Sequence, residues 1–156
     1  MKLLIASDIH GSAFWCRCLC DLMETERPDR LILLGDLLYH GPRNDLPRDY
    51  APKQVIPMLS DYRNSIIAVR GNCEAEVDQM VLPFPCMAEF SQLLLEGKTF
   101  YLTHGHHHNP DNLAGGQRVP VWAHPCEDGR SARPHPLPEP RQCLHPQGRE
   151  PQLSDL

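Results

Sequence analysis

The chain has 156 residues, with 15 Lys plus Arg against 20 Asp plus Glu and a formal net charge of −5. That length suits one domain, and the acidic balance argues against non-specific binding of nucleic acid or of an anionic membrane, both of which need a basic surface. No apolar run approaches the roughly 18 residues of a membrane span, and the first residues meet Ser7 and Asp8 too early for the roughly 7–15-residue apolar region of a signal peptide. A cytoplasmic location is expected, with the seven cysteines kept as thiols, and the odd count disfavours a complete disulfide framework.

Residues 2–6 form a short apolar run followed by Ser-Asp-Ile-His-Gly, so a buried strand leads into a loop. Ser12 is placed to cap a helix over 13–26, with Phe14, Leu19, Leu22 and Met23 apolar and Arg17, Asp21 and Glu24 polar. Pro28 and Asp29 end it. A second apolar strand over 30–34 runs into Gly35-Asp36, and a polar loop with Gly41, Pro42 and Pro47 follows. A helix over 52–62 has Pro57 inside it, which weakens the pattern. Residues 65–69 read as a third strand ending at Arg70-Gly71-Asn72, and 73–80 as a short helix whose Glu74, Glu76 and Asp78 form a solvated face. Strands over 89–95 and 99–102 are joined by a turn at Glu96-Gly97-Lys98, and the second ends at Thr103-His104-Gly105-His106.

The composition changes near residue 113. Residues 1–112 hold 10 basic and 15 acidic side chains, and 113–156 hold 5 and 5, so the first part carries the whole net charge. The prolines divide 8 and 8 although the second part is far shorter, and from Leu113 onward there is no Ile, Phe, Tyr, Met, Lys, Asn or Thr. Such a stretch offers no regular apolar period and little apolar surface to offset ordering entropy, so a disordered Pro-rich tail is one expectation for it.

The strand–helix–strand order predicts an α/β domain with parallel strands. In open parallel sheets, ligands sit beyond the carboxyl ends of the strands. There the sequence delivers Asp8 and His10 after the first strand, Asp36 after the second, Asn72 after the third and His104 after the last. Each alone reads as a turn or capping residue; five ligand-type side chains at four strand ends read as a site. Carboxylates, imidazoles and a carboxamide suit Mn²⁺, Fe²⁺, Zn²⁺ or Co²⁺ rather than thiolate-selective ions or Ca²⁺. A carboxylate such as Asp36 can bridge two ions roughly 3.5–4 Å apart, and paired ions would acidify a bridging water for in-line attack on phosphorus. Gly11, Gly35, Gly71 and Gly105 flank these residues, where tight turns or close approach are needed.

The strings Asp8-Ile9-His10, Gly35-Asp36, Gly71-Asn72-Cys73-Glu74 and His104-Gly105-His106 resemble the calcineurin-like metallophosphoesterases. Ser7-Asp8-Ile9-His10-Gly11-Ser12, His40-Gly41-Pro42-Arg43-Asn44 and Val69-Arg70-Gly71-Asn72-Cys73-Glu74 resemble the YfcE-type phosphodiesterase branch of that family, and the likeness covers about residues 1–112. It implies a β-sandwich of two sheets flanked by helices and hydrolysis of phosphodiesters or phosphomonoesters through a metal-bound hydroxide. It also implies two divalent ions, one held by Asp8, His10 and Asp36 and the other by Asp36, Asn72 and His104. Many members carry His where this chain has Cys73, so Cys73 takes the catalytic position with a thiol that is a poorer general acid near neutral pH. His106, Arg43 and Asn44 stand where a substrate phosphate would be met. The implied partner is a small phosphoester, with no nucleic-acid surface and no membrane; homo-oligomeric assembly is compatible with the sequence.

One family element is missing. The Gly-His-Thr-His string that supplies a further ligand to each ion does not follow residue 108; Val121-Trp122-Ala123-His124-Pro125-Cys126 stands there instead. Codons for that stretch, read one base later, permit Gly-His-Thr-His-Val. The same shift over residues 139–151 permits a second string resembling the family segment downstream. A frameshift between about Leu113 and Val121 is inferred, leaving a domain over 1–112 truncated at its C-terminal side and a frameshift-like tail over 113–156. His124 has no pattern to aim it as a substitute ligand. A non-catalytic remnant is the first alternative. The second is a Cys/His-rich metal module, to which Cys16, Cys18 and Cys20 contribute little: residues two apart on a helix do not share a face, so they read as packing and surface residues.

Overall fold

The computed structural model describes residues 1–108 and the backbone of 118–122. Strands β1 (Leu3–Ala6), β2 (Arg30–Leu33) and β3 (Ile66–Ala68) pair in parallel in that order, connected through helices α1 (Ala13–Glu26) and α2 (Pro52–Ser60). A short helix, α3 (Glu76–Val81), precedes the second sheet. There β4 (Ser91–Leu95) and β5 (Lys98–Thr103) form an antiparallel hairpin, and β6 (Arg118–Trp122) pairs in parallel with β5. Glu96 and Gly97 both adopt positive φ, 49° and 74°, the signature of the two-residue turn that matches strand twist.

The period-two pattern of β2 separates two cores. Leu31 and Leu33 point to the helices and pack with Ala13, Cys16 and Leu19 of α1 and Val55 and Leu59 of α2. Ile32 and Leu34 point the other way and meet Val69 and Leu102, with Leu93 against them. The molecule is thus a sandwich of two sheets with helices on the far side of the first, the mixed α/β class anticipated from the sequence. Ser12 caps α1 by accepting from the Trp15 amide at 3.3 Å, and Arg27 closes it in the left-handed region with φ 46°. Helix α2 continues through Pro57.

Two expectations are corrected. Helix α3 begins at Glu76, three residues later than the acidic pattern suggested, because Cys73 spends its amide on the Asp36 carboxylate and Asp78 caps the Ala75 amide at 2.7 Å. Glu74 and Asp78 are buried, so the acidic stretch is not a solvated face. A strand also crosses the segment read as patternless: Val119 and Val121 alternate within β6, and the edge of β5 offers backbone partners. Pro120 is tolerated there because β6 is an edge strand among the described residues. The rest of 113–156, His124 included, lies outside the described residues.

Beyond the strands the loops continue the ladder. The Asp8 amide donates to the Gly35 carbonyl at 3.0 Å, His10 to Asp36 at 2.8 Å and Gly11 to Leu37 at 2.8 Å. On the other side of β2 the Val69 amide donates to the Leu33 carbonyl at 2.9 Å, and the ends of β2 and β3 are so close that a Cβ on Gly35 would stand 2.2 Å from the Gly71 nitrogen, and one on Gly71 would stand 2.1 Å from Asp36 Oδ1. Gly71→Ala is expected to destabilise the chain by about 1–3 kcal/mol through overpacking, read from urea denaturation; stability equal to the parent would show that the strand ends do not touch.

Candidate metal centre

The carboxyl ends of β1, β2, β3 and β5 converge. Asp8, His10, Asp36 and His104 are buried there, and Asn72 lies exposed at the edge. Asp36 is central: its Oδ2 is 3.6 Å from His10 Nε2 and 3.7 Å from His104 Nε2, while its Oδ1 accepts the Cys73 amide at 2.8 Å. Asp8 Oδ1 is 3.4 Å from His10 Nε2, and Asp8 Oδ2 accepts the Ser7 hydroxyl at 2.5 Å. Asn72 Oδ1 is 3.1 Å from His104 Nε2. Two groups have ligand atoms all within 4.8 Å of one another: Asp8, Asp36 and His104, and His10, Asp36 and Cys73.

The orientation of both imidazoles fits a divalent cation. His10 Nδ1 lies 2.7 Å from the Tyr39 carbonyl and His104 Nδ1 lies 2.8 Å from the Leu34 carbonyl. A carbonyl only accepts, so in each neutral ring Nδ1 holds the hydrogen and Nε2 presents a lone pair, the usual arrangement behind a metal-ligating histidine. Those lone pairs face carboxylate and amide oxygens, a repulsive array unless a proton or a cation stands between them. His10 shows the pressure. Burial lowers its pKa, but the hydrogen bond to Asp8, the Tyr39 carbonyl and the charges of Asp36 and Asp8 outweigh this and hold it above 6.5. Protonated His10 therefore supports the fold below about 6.5, and that contribution is lost as the pH rises through its raised value.

Strain concentrates here as well. Asp8, His10 and Asp36 have φ of 57°, 49° and 57°, in the left-handed region, where a non-glycine residue typically costs of order 1–3 kcal/mol and is found at sites that need it.

Cys73 sits beside Asp36 with its thiol pushed up to about 12, by burial first and then by the charges of Asp36, Glu74 and Asp8. Asn72 Nδ2 donates to Cys73 Sγ at 3.1 Å. In the loop after β2, Gly41 approaches this thiol, with a Cβ there only 3.0 Å from Sγ. Asn44 closes that loop by donating to the His40 carbonyl at 2.8 Å, and Arg43 is exposed on it. His106 stands at the rim with its ring centroid 5.2 Å from that of His104. Its pKa is lowered by partial burial and by the neighbouring His107 and His104. Cys16 is buried and Cys18 and Cys20 half-buried on α1, all as thiols.

A family model described as the calcineurin-like phosphoesterase superfamily domain matches residues 1–120. The chain belongs to this superfamily. It is 50% identical over 113 residues to the phosphodiesterase YfcE of Escherichia coli strain K12, an alignment spanning 72% of this chain and 61% of the relative. The same figures hold for YfcE of E. coli O157:H7. The solved structure of YfcE, titled a phosphoesterase from E. coli, matches with a TM-score of 0.72 and 49% identity, over 74% of this chain and 63% of that one. The chain thus spans about three fifths of the length of these relatives.

Sequence reading missed Glu74. Its carboxylate accepts the amides of Asp36 at 2.9 Å, Leu37 at 2.7 Å and Gly71 at 2.5 Å, clamping the loop after β2 to the loop after β3. Burial raises its pKa, the three amides oppose this, and the charge of Asp36 adds to the rise. Glu74→Gln keeps the shape but turns an NH₂ toward donors, so a loss of about 1–3 kcal/mol is expected in urea denaturation; a change under about 0.5 kcal/mol, the range of an ordinary surface substitution, would show that the clamp contributes little.

Proposed function

We propose that this chain descends from metal-dependent phosphoesterases that cleave small phosphodiesters or phosphomonoesters, and that its own turnover is impaired by the missing Gly-His-Thr-His string. The observation that carries the reading is the convergence of Asp8, His10, Asp36, Asn72 and His104 around the Asp36 carboxylate. Asp8, His10 and Asp36 would hold one divalent ion, and Asp36, Asn72 and His104 a second; this mixed oxygen and nitrogen set accepts Mn²⁺, the ion proposed, as well as Fe²⁺, Zn²⁺ or Co²⁺. When bound, such ions acidify water and neutralise charge on a phosphate.

The chain's own side chains do the positioning. The carbonyls of Tyr39 and Leu34 hold the two imidazoles with Nε2 inward. Glu74 and the Cys73 amide fix Asp36. His106, kept neutral by its lowered pKa, can donate a hydrogen bond to a phosphate oxygen at the mouth. Arg43, on its exposed loop, supplies a guanidinium for the same phosphate, and Asn44 shapes that loop. Cys73 retains its proton and is a weak acid, so its contribution is through its amide and its bulk rather than proton transfer.

The family match stops at residue 120, inside the interval where the reading frame is inferred to shift, which supports the loss of the last ligand-bearing motif. The YfcE relatives, named phosphodiesterases, support the choice of phosphodiester substrates.

The test is Mn²⁺-dependent hydrolysis of a chromogenic aryl phosphodiester by this chain, by its Asp36→Asn variant and by a version with the frame restored after residue 113. Asp36→Asn should lower turnover by about 100-fold or more and release bound Mn²⁺, since even outer partners of a metal site cost about 10–100-fold. The restored frame should raise it. No Mn²⁺-dependent turnover in either frame would identify a non-catalytic remnant, and a restored version no faster than the parent would refute the impairment.

A further inference from the structure

A second group of ligand atoms gathers outside the buried centre. Glu89, His106 and His107 each offer one donor atom, and these lie within 4.8 Å of one another at the exposed rim. Glu89 lies just before β4 and the histidines follow β5, so the two edges of one hairpin supply them.

Both edges are held. The Thr103 hydroxyl, buried, donates to the His108 carbonyl at 2.9 Å and accepts the Gly105 amide at 3.1 Å, pinning the turn from both ends. Gly105 takes φ 96° within it. His108 turns away, edge-on to Phe90 at 5.3 Å, while the rings of His106 and His107 stand together with centroids 4.1 Å apart. On the other edge Arg70 donates to Glu89 Oε1 at 3.2 Å, and the Arg70 amide donates to the Ala88 carbonyl at 2.8 Å. Arg70 thus takes one carboxylate oxygen and directs the other, Oε2, to His107 Nδ1 at 3.1 Å. Ligand atoms about 2.1 Å from a tetrahedral zinc stand roughly 3.4 Å apart, so this pair, at 3.1 Å, is already near the spacing of a shared cation.

We propose that Glu89, His106 and His107 form an outlying cation site that takes a borderline divalent ion such as Zn²⁺. Two imidazoles and one carboxylate are the donor set of many three-residue zinc sites with an open position. The ion would tie the turn after β5 to the start of β4 and engage His106 at the mouth of the buried centre. The site does not depend on the buried centre being hydrolytic, because it shares none of that centre's proposed metal ligands; His106 alone is common to it and the proposed phosphate contact.

The test titrates the metal-free full chain with Zn²⁺ against a chromophoric chelator. His107→Ala and Glu89→Gln, both near the surface, should each bind one equivalent fewer than the parent or weaken that equivalent by at least about 10-fold. Asp36→Asn, which disturbs the buried centre, should keep it. Far-UV circular dichroism checks that each variant folds, and either folded variant decides the matter. Parent stoichiometry and affinity in a folded His107→Ala or Glu89→Gln chain, or loss of the same equivalent in Asp36→Asn, would overturn the proposal.

Discussion

Three backbone amides converge on the carboxylate of Glu74, and the geometry of the site depends on that contact. Asp36, Leu37 and Gly71 are the donors, at 2.9, 2.7 and 2.5 Å. Hydrogen bonds to a charged group contribute roughly 1.5–3 kcal/mol each, and an unmatched buried charge costs more than that. The clamp therefore works only if all three donors arrive together. Parallel pairing brings them: β2 and β3 deliver their carboxyl ends side by side, and the absence of side chains at Gly35 and Gly71 lets the two loops touch. With the loops locked, Asp36 has no latitude. One oxygen is tied to the Cys73 amide and the other is presented to both imidazoles.

The same locking explains why backbone strain is tolerated. Asp8, His10 and Asp36 occupy a region of φ that favours glycine. Their amides are nonetheless committed, since Asp8 and His10 donate into the loop after β2 and Asp36 donates to Glu74. Beneath them, Leu31, Leu33 and Leu34 are fully buried on alternating faces of β2. A rigid, close-packed support of this kind makes relaxation of the loops costly, because neighbouring side chains would have to move with them. The candidate ligand atoms are consequently held in place by the fold alone, which is the preorganisation that a metal centre would need.

Much of this was legible from the chain. The apolar runs of β1, β2 and β3 and the Ser12-capped α1 follow from local pattern, and the side chains at the strand ends follow from topology once the strands are parallel. What escaped was set by contacts distant in sequence. Glu74 stands two residues from Glu76, and acidity alone puts both on a solvated face. A sharper local signal was present: Asp78 sits at the third helical position, where it caps the Ala75 amide, so α3 had to begin after Glu74. The strand β6 escaped for a different reason. Pro120 interrupts a run that otherwise holds the strand formers Val119, Val121 and Trp122, inside a proline-rich stretch, and its partner is the edge of β5. The rim cluster was half visible, since His106 and His107 are adjacent in sequence, but Glu89 joins them only through the β4–β5 hairpin.

In the proposed assembly, Asp36 is the hub that would hold two divalent cations. Crystals of this chain soaked in Mn²⁺ and measured for anomalous scattering test it most directly. Two peaks roughly 3.5–4 Å apart are expected, both within bonding distance of Asp36, one beside Asp8 and His10 and the other beside Asn72 and His104. Manganese bound elsewhere, with the Asp36 carboxylate left outside every coordination shell, would contradict it.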